Sequence, residues 1–154
     1  MGYTVTPVGW VRAGRDDVEE TDHWGQVIST IVVDDRFGDD CLVGLADFSH
    51  VEILFVFHVA TERDDYTSTR RPRGRADLPA VGVFSDRGPR RPNRIGSTTC
   101  EIVDSAGGAL RVRGLDAVVG TPILDIKPTM REFLPVEVAQ PAWASRLMAA
   151  YFQP

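Results

Sequence analysis

Between Arg70 and Arg94 the chain carries eight arginines against only two acids, Asp77 and Asp86. A guanidinium is a permanent cation whose planar fork fits a carboxylate or a phosphate. The densest stretch, Val81 to Ile102, starts as the apolar run Val81-Gly82-Val83-Phe84. It then breaks into a loop holding Arg87, Arg90, Arg91 and Arg94 with Pro89, Pro92 and Asn93, and closes on Ile95-Gly96 and a strand-like run from Thr98 to Val103. Proline and glycine hold such a loop in one shape. A stiff basic loop between two short strands suits an anionic or nucleotide-like ligand. The same residues read equally as a solvated hairpin held by ion pairs. Sixteen of the 17 basic residues are arginine, so the lone lysine, Lys127, stands out as a cation more than any single arginine does.

The elements that must position these groups read mostly as strands. Tyr3 to Val11 reads as an edge strand, with Pro7 where a ladder hydrogen bond is missing, and Gln26 to Val33 as a strand by its β-branched content. Cys41 to Phe48 fits a short helix or a strand. Val51 to Ala60 is the most apolar run and reads as a buried central strand. His58 falls inside it, where a histidine is ordinarily satisfied by a hydrogen bond. Thr61 to Leu78 is a long polar loop, and long loops in compact domains tend to be functional or disordered. Asp104 to Gly108 makes a tight turn joining Ser97–Val103 to Ala109–Arg113 in a hairpin. Leu115–Val119 and Ile123–Ile126 frame Gly120-Thr121-Pro122, and Trp143 to Phe152 has helical spacing of apolar residues. Many short strands, one terminal helix, no βαβ alternation and no dinucleotide-binding glycine motif predict a mainly β fold, a small β-barrel with a C-terminal helix. No repeat or boundary divides it: the expectation is one domain over residues 1–154, with its core in 5–133 and the helix over about 142–152.

Composition narrows the function. The chain has 154 residues and a net charge of −5, which excludes a nucleic-acid binder driven by bulk charge and leaves a local anion site. Cys41 and Cys100 lie in no CxxC pair and near no histidine, so free thiols in a reducing compartment are expected and no metal is. No apolar run is long enough for a bilayer, and no basic-then-apolar leader opens the chain. Met1-Gly2 with Thr6 matches the myristoylation pattern only loosely, and a strand beginning there is the better reading. The expectation is a cytoplasmic protein with no membrane partner.

Three segments together carry a resemblance. They are Asp47-Phe48-Ser49-His50 running into Val51–His58; Gly82-Val83-Phe84 with Arg87 and Arg91-Pro92-Asn93-Arg94-Ile95-Gly96; and Gly114-Leu115-Asp116 with Gly120-Thr121-Pro122-Ile123-Leu124-Asp125-Ile126-Lys127-Pro128. In order and spacing they closely resemble the TsaA-like domain of the TrmO family, over roughly residues 5 to 133. The resemblance implies a β-barrel methyltransferase using S-adenosylmethionine, working as a homodimer with its site near the subunit boundary. It implies methylation of the exocyclic amine of threonylcarbamoyl-adenosine in tRNA. It places His58, Arg87, Ile95, Gly96 and Ser97 near the methyl donor, with backbone at Gly120 and Thr121 available to adenine edges. Asp125 and Lys127 match its DIKP motif as the catalytic pair, Asp125 orienting the acceptor amine or taking its proton; a plain ion pair with Lys127 or an arginine is the equal alternative. Arg91, Asn93, Arg94, Arg70 and Arg71 face the acceptor in this reading. Trp24 or Phe84 would stack on a base, with core packing the better reading of Phe84. The chain departs from the family in three places: an acidic Asp16–Gly25 segment replaces a PRQ-like motif, Arg90 stands where a phenylalanine or histidine precedes RPN, and Arg94 stands where proline follows it. It also stops after one helix, without the further domain of longer members. A small-molecule or other nucleotide acceptor, or a barrel that binds nucleotide or RNA without chemistry, are the alternatives.

Overall fold

β-Branched and aromatic residues alternating with polar ones favour pleated strands, and six such segments form here. They are β1 (Gly9–Ala13), β2 (Ile28–Val33), β3 (His50–Val56), β4 (Ile95–Ala106), β5 (Ala109–Arg113) and β6 (Pro122–Pro128). The computed structural model describes every residue from Met1 to Pro154. All pairings are antiparallel, and the order β1-β2-β5-β4-β3-β6 closes when β6 meets β1 at Gly9↔Ile123 and Trp10↔Pro122. Closure leaves no free sheet edge. The interior is solid. Val11, Ile31, Val51, Ile53, Phe55, Cys100, Leu110, Val112, Leu115 and Ile123 fill it, each almost completely buried. The mainly β barrel with one short C-terminal helix is as the sequence predicts.

Several elements differ from the sequence reading. β1 begins only at Gly9, because Pro7 lacks an amide and the residues before it are exposed. β3 ends at Val56, which leaves His58 beyond the strand and exposed. Only alternate residues of β3 are inside; Glu52, Leu54 and Val56 face outward, since a closed barrel has a single interior face. Val81–Phe84 forms no strand: a single bridge, Arg70↔Val81, precedes a short 3₁₀ turn over Val83–Ser85. Leu115–Val119 is likewise not a strand, and Cys41–Phe48 is a series of turns with a 3₁₀ turn at Leu45–Asp47. The helix, α1 (Ala142–Leu147), is shorter than expected and ends in turns that carry the chain to Pro154.

Candidate functional site

Asp125 and Lys127 share the parity of Ile123, which is fully buried, so a regular strand would aim all three inward. A bulge prevents this. Phe55 pairs with Ile123 and Leu54 pairs with Asp125, which leaves Leu124 as an extra residue on β6. An inserted residue turns the following side chains to the other face. Asp125 and Lys127 therefore stand on the outer wall, beside the outward residues of β3. Asp125 accepts from the Ile126 amide at 2.9 Å through Oδ1, and Oδ2 holds the Lys127 ammonium. That hydrogen bond, then the Asp125 charge and more weakly the Glu52 charge, push the Lys127 pKa above its usual value.

The register extends this outer row. Ser97 and Asp125 are both partners of Leu54, and Thr99 and Lys127 are both partners of Glu52. Two strand spacings separate the flanking residues, about 10 Å. Ser97 Oγ donates to Glu52 Oε1 at 2.9 Å, and the Arg87 Nη2 donates to the Ser97 carbonyl at 2.5 Å. Arg87 is exposed, and its other N–H groups have no partner in the chain. Arg87, bound to Ser97 at the start of β4, and the Asp125–Lys127 segment of β6 thus flank β3 on the barrel wall.

Next to Asp125 on its other flank is an apolar pocket of about 430 Å³. Val8, Phe37, Leu42, Leu45, Phe48 and Ile126 contribute to its lining, with Asp125 at its edge. An apolar pocket carrying one fixed polar group is the ordinary form of a small-molecule site.

The other sequence-selected residues fall around this row. His58 Nδ1 lies 3.3 Å from Thr121 Oγ1, and its Nε2 sits 3.5 Å from where a side chain on Gly120 would begin. His58, Gly120 and Thr121 therefore meet at one end of the barrel, together with the start of β4. Gly96 is buried, and a Cβ there would lie 2.5 Å from the Phe55 ring, so core packing requires glycine at this position. Ile95 is exposed beside it. Arg91 Nη1 donates to the Asp86 carbonyl at 2.9 Å; Arg94 Nη1 donates to the Ala60 carbonyl at 3.2 Å and its Nη2 pairs with Glu62 at 3.6 Å. Arg70 pairs with Asp86 at 3.5 Å and donates to the Arg90 carbonyl, while Arg71 donates to the Leu78 carbonyl. Asn93 is exposed with its side chain unengaged. Trp24 is only 5% exposed, stacked under the Arg15 guanidinium at 4.0 Å, so it presents no free face to a base. Phe84 is the reverse of its expected core role, 79% exposed.

Three features escaped the sequence reading. Glu52 is the one charge inside the apolar run Val51–Ala60 and is the available signal for an outward face of β3. The pocket is built by the turns over residues 37–48, which have no periodicity to read. Asp116 joins distant parts of the chain: it accepts from Thr98 Oγ1 and, at 2.5 Å, from the Tyr151 hydroxyl. Burial foremost, then the Asp116 charge, raises the Tyr151 pKa far above the usual phenol value.

Comparison with known proteins bears on this row directly. Residues 19–133 match the tRNA-methyltransferase O N-terminal domain. A human tRNA (adenine(37)-N6)-methyltransferase is 44% identical over 101 residues, 65% of this chain but 22% of that protein. A probable S-adenosyl-L-methionine-binding protein of Methanothermobacter thermautotrophicus is 38% identical over 131 residues, 83% of this chain and 90% of its own length. A crystal structure of TrmO superposes with a TM-score of 0.74 at 29% identity, over 92% of this chain and 64% of that one. The chain thus spans about a fifth of the human enzyme and under two thirds of the TrmO crystal chain. Every residue of the outer row and the arginine loop lies within the matched span, and the barrel that carries them is the TrmO barrel: the chain belongs to the tRNA-methyltransferase O N-terminal domain family.

Proposed function

We propose that this chain is an S-adenosylmethionine-dependent N-methyltransferase that acts on a modified adenosine, threonylcarbamoyl-adenosine, in tRNA. The observation that carries the reading is the outer row of β4, β3 and β6. There an exposed guanidinium, two carboxylates and an ammonium gather beside an apolar pocket, within the span shared with the family.

The chemistry of these groups fits the donor. S-adenosylmethionine has a carboxylate, two cationic centres and an adenine. The free N–H groups of Arg87 suit the carboxylate, and Glu52 and Asp125 supply negative charge for the cations. Backbone at Ile95, Ser97, Gly120 and Thr121, with His58 held on Thr121, is available to a base, while Gly96 keeps the strand close to Phe55. When bound, the donor supplies an electrophilic methyl group. The protein's task is then to align the acceptor amine and keep the site dry. Lys127, held protonated, is a positioning cation, and Asp125 is the carboxylate that orients the amine and takes its proton. Arg70, Arg71, Arg91 and Arg94 fix the loop that borders the acceptor, and Asn93 offers it an amide.

The row is open to solvent on the barrel wall, so a dry site needs a cover. A homodimer provides one. The segment after β6 exposes Phe133, Leu134, Val136 and Val138, and from Pro135 to Gln140 no backbone group bonds within the chain. An exposed apolar arm of this kind suits burial against a second copy. No helix is long and apolar enough to cross a membrane; a tRNA acceptor and two free cysteines support a cytoplasmic location as part of this reading.

The archaeal relative's name favours a second reading, a donor-binding barrel with a different acceptor or none. Labelled donor offered with bulk tRNA and with a metabolite extract distinguishes them. Label in tRNA supports the proposal; label only in the extract selects a small-molecule acceptor. Absence of donor binding by calorimetry, or unchanged donor affinity in Arg87→Ala, removes the donor assignment. With Arg87 as the carboxylate's partner, that variant should bind donor roughly tenfold or more weakly.

A further inference from the structure

Of the eight arginines between Arg70 and Arg94, seven are committed to the chain. Arg73 grips Asp22 through two N–H groups at 2.9 and 3.0 Å, Arg75 grips Asp77, and Arg70, Arg71, Arg87, Arg91 and Arg94 are held by the acceptors described above. These contacts also neutralise Asp22, Asp77, Asp86 and Glu62, the acids that would repel an anion. Arg90 alone is exposed and makes no side-chain contact with a protein acceptor or an aromatic ring. Its backbone is nevertheless fixed, since its carbonyl accepts from Arg70, which pairs with Asp86. The neighbouring Arg91 bonds the Asp86 carbonyl, and the Gly88 amide bonds Asp86 Oδ1 at 3.2 Å. Asp86 is thus a hub that ties down the Pro89–Arg91 turn, on which Arg90 stays exposed. Two residues before the hub, on the 3₁₀ turn over Val83–Ser85, Phe84 presents an almost bare ring.

We infer that Phe84 and Arg90, exposed on the same loop anchored at Asp86, bind an unpaired strand, Phe84 stacking on a base and Arg90 holding a backbone phosphate. Exposed aromatic rings that stack on bases, combined with cations that hold the backbone, are the usual device for single-stranded nucleic acid. A paired stem could use Arg90 but not Phe84, because its bases are not free to stack. The inference rests on the proposed tRNA acceptor and names the side of the chain that grips it.

The test measures binding of an RNA hairpin with an unpaired loop, and of a blunt duplex of similar composition, by fluorescence anisotropy at several salt concentrations. Donor affinity and sedimentation are measured on the same variants. The hairpin should bind more tightly than the duplex. Arg90→Ala should weaken the hairpin on the order of tenfold and flatten the logarithmic salt slope by about 0.7, the value for one phosphate on a single strand; Arg90→Lys should restore the slope. Phe84→Ala should weaken binding on the order of tenfold without changing the slope, and Phe84→Tyr should restore it. Donor affinity should be unchanged in all four. If both alanine variants bind the hairpin as the wild type does, the inference falls while donor binding and tRNA methylation stand. If Phe84→Ala instead changes the sedimenting species, Phe84 belongs to an interface between copies and the inference also falls. If the wild type binds neither donor nor hairpin, the underlying methyltransferase reading falls with it.

Discussion

At the scale of single residues, the proposed roles of Asp125 and Lys127 differ by protonation. Lys127 is held as a cation by the carboxylate it touches, so it cannot take a proton near neutral pH, and the proposed mechanism gives that task to Asp125. Asp125→Asn should therefore lower kcat by about a hundredfold or more with a small change in KM, read by steady-state methylation; an equal loss confined to KM would assign Asp125 to binding alone. The two cysteines differ just as sharply. Cys41 is exposed, whereas burial raises the Cys100 pKa well above the usual thiol range, with a smaller push from Asp116. An alkylating reagent should label Cys41 in the folded protein and Cys100 only after denaturation, which mass spectrometry of the native and denatured protein checks. Cys100 alternates with the exposed Thr99 and Glu101, which marks it as an inward position of β4. Trp24 and Phe84 were not readable: aromatic residues serve cores and surfaces alike, and only the surrounding chain decides which.

At the scale of elements, the site depends on how β3, β4 and β6 register. β4 must carry glycine at 96 because the Phe55 ring occupies the space of a side chain there. Gly96→Ala should cost about 1–3 kcal/mol by overpacking, measured as a lowered urea midpoint with unchanged slope. A variant as stable as the wild type would show that Phe55 can yield. The alternation of β5 and the hairpin that precedes it could be read from the sequence because both are local. The turn is only Gly107–Gly108 rather than Asp104–Gly108, because Asp104–Ala106 continue β4 and pair with β5. The bulge at Leu124 could not, since nothing in Pro122–Pro128 marks it; it exists only as a mismatch between β6 and β3. Without it Asp125 would point into the apolar interior, where an unpaired carboxylate is costly.

At the scale of the whole molecule, a barrel packed solid leaves its wall for the proposed site, and the proposed homodimer would cover it. The exposed arm after β6 is the surface suited to a second copy. Val136 is 87% exposed in the single chain, so Val136→Asp should leave the fold intact by circular dichroism but shift the sedimenting species from dimer to monomer. Donor affinity should fall with it. A wild type that sediments as a monomer would remove the cover. The sequence was enough to specify an antiparallel barrel, the basic loop and the DIKP segment, because strand periodicity, turn residues and contiguous motifs act over short distances along the chain. Which face Asp125 occupies, that seven arginines hold the loop while Arg90 stays free, and that Asp116 gathers Thr98 and Tyr151, were settled only by closure of the barrel. Each depends on registers and contacts between residues far apart in the chain, and such contacts leave no periodic trace in the sequence.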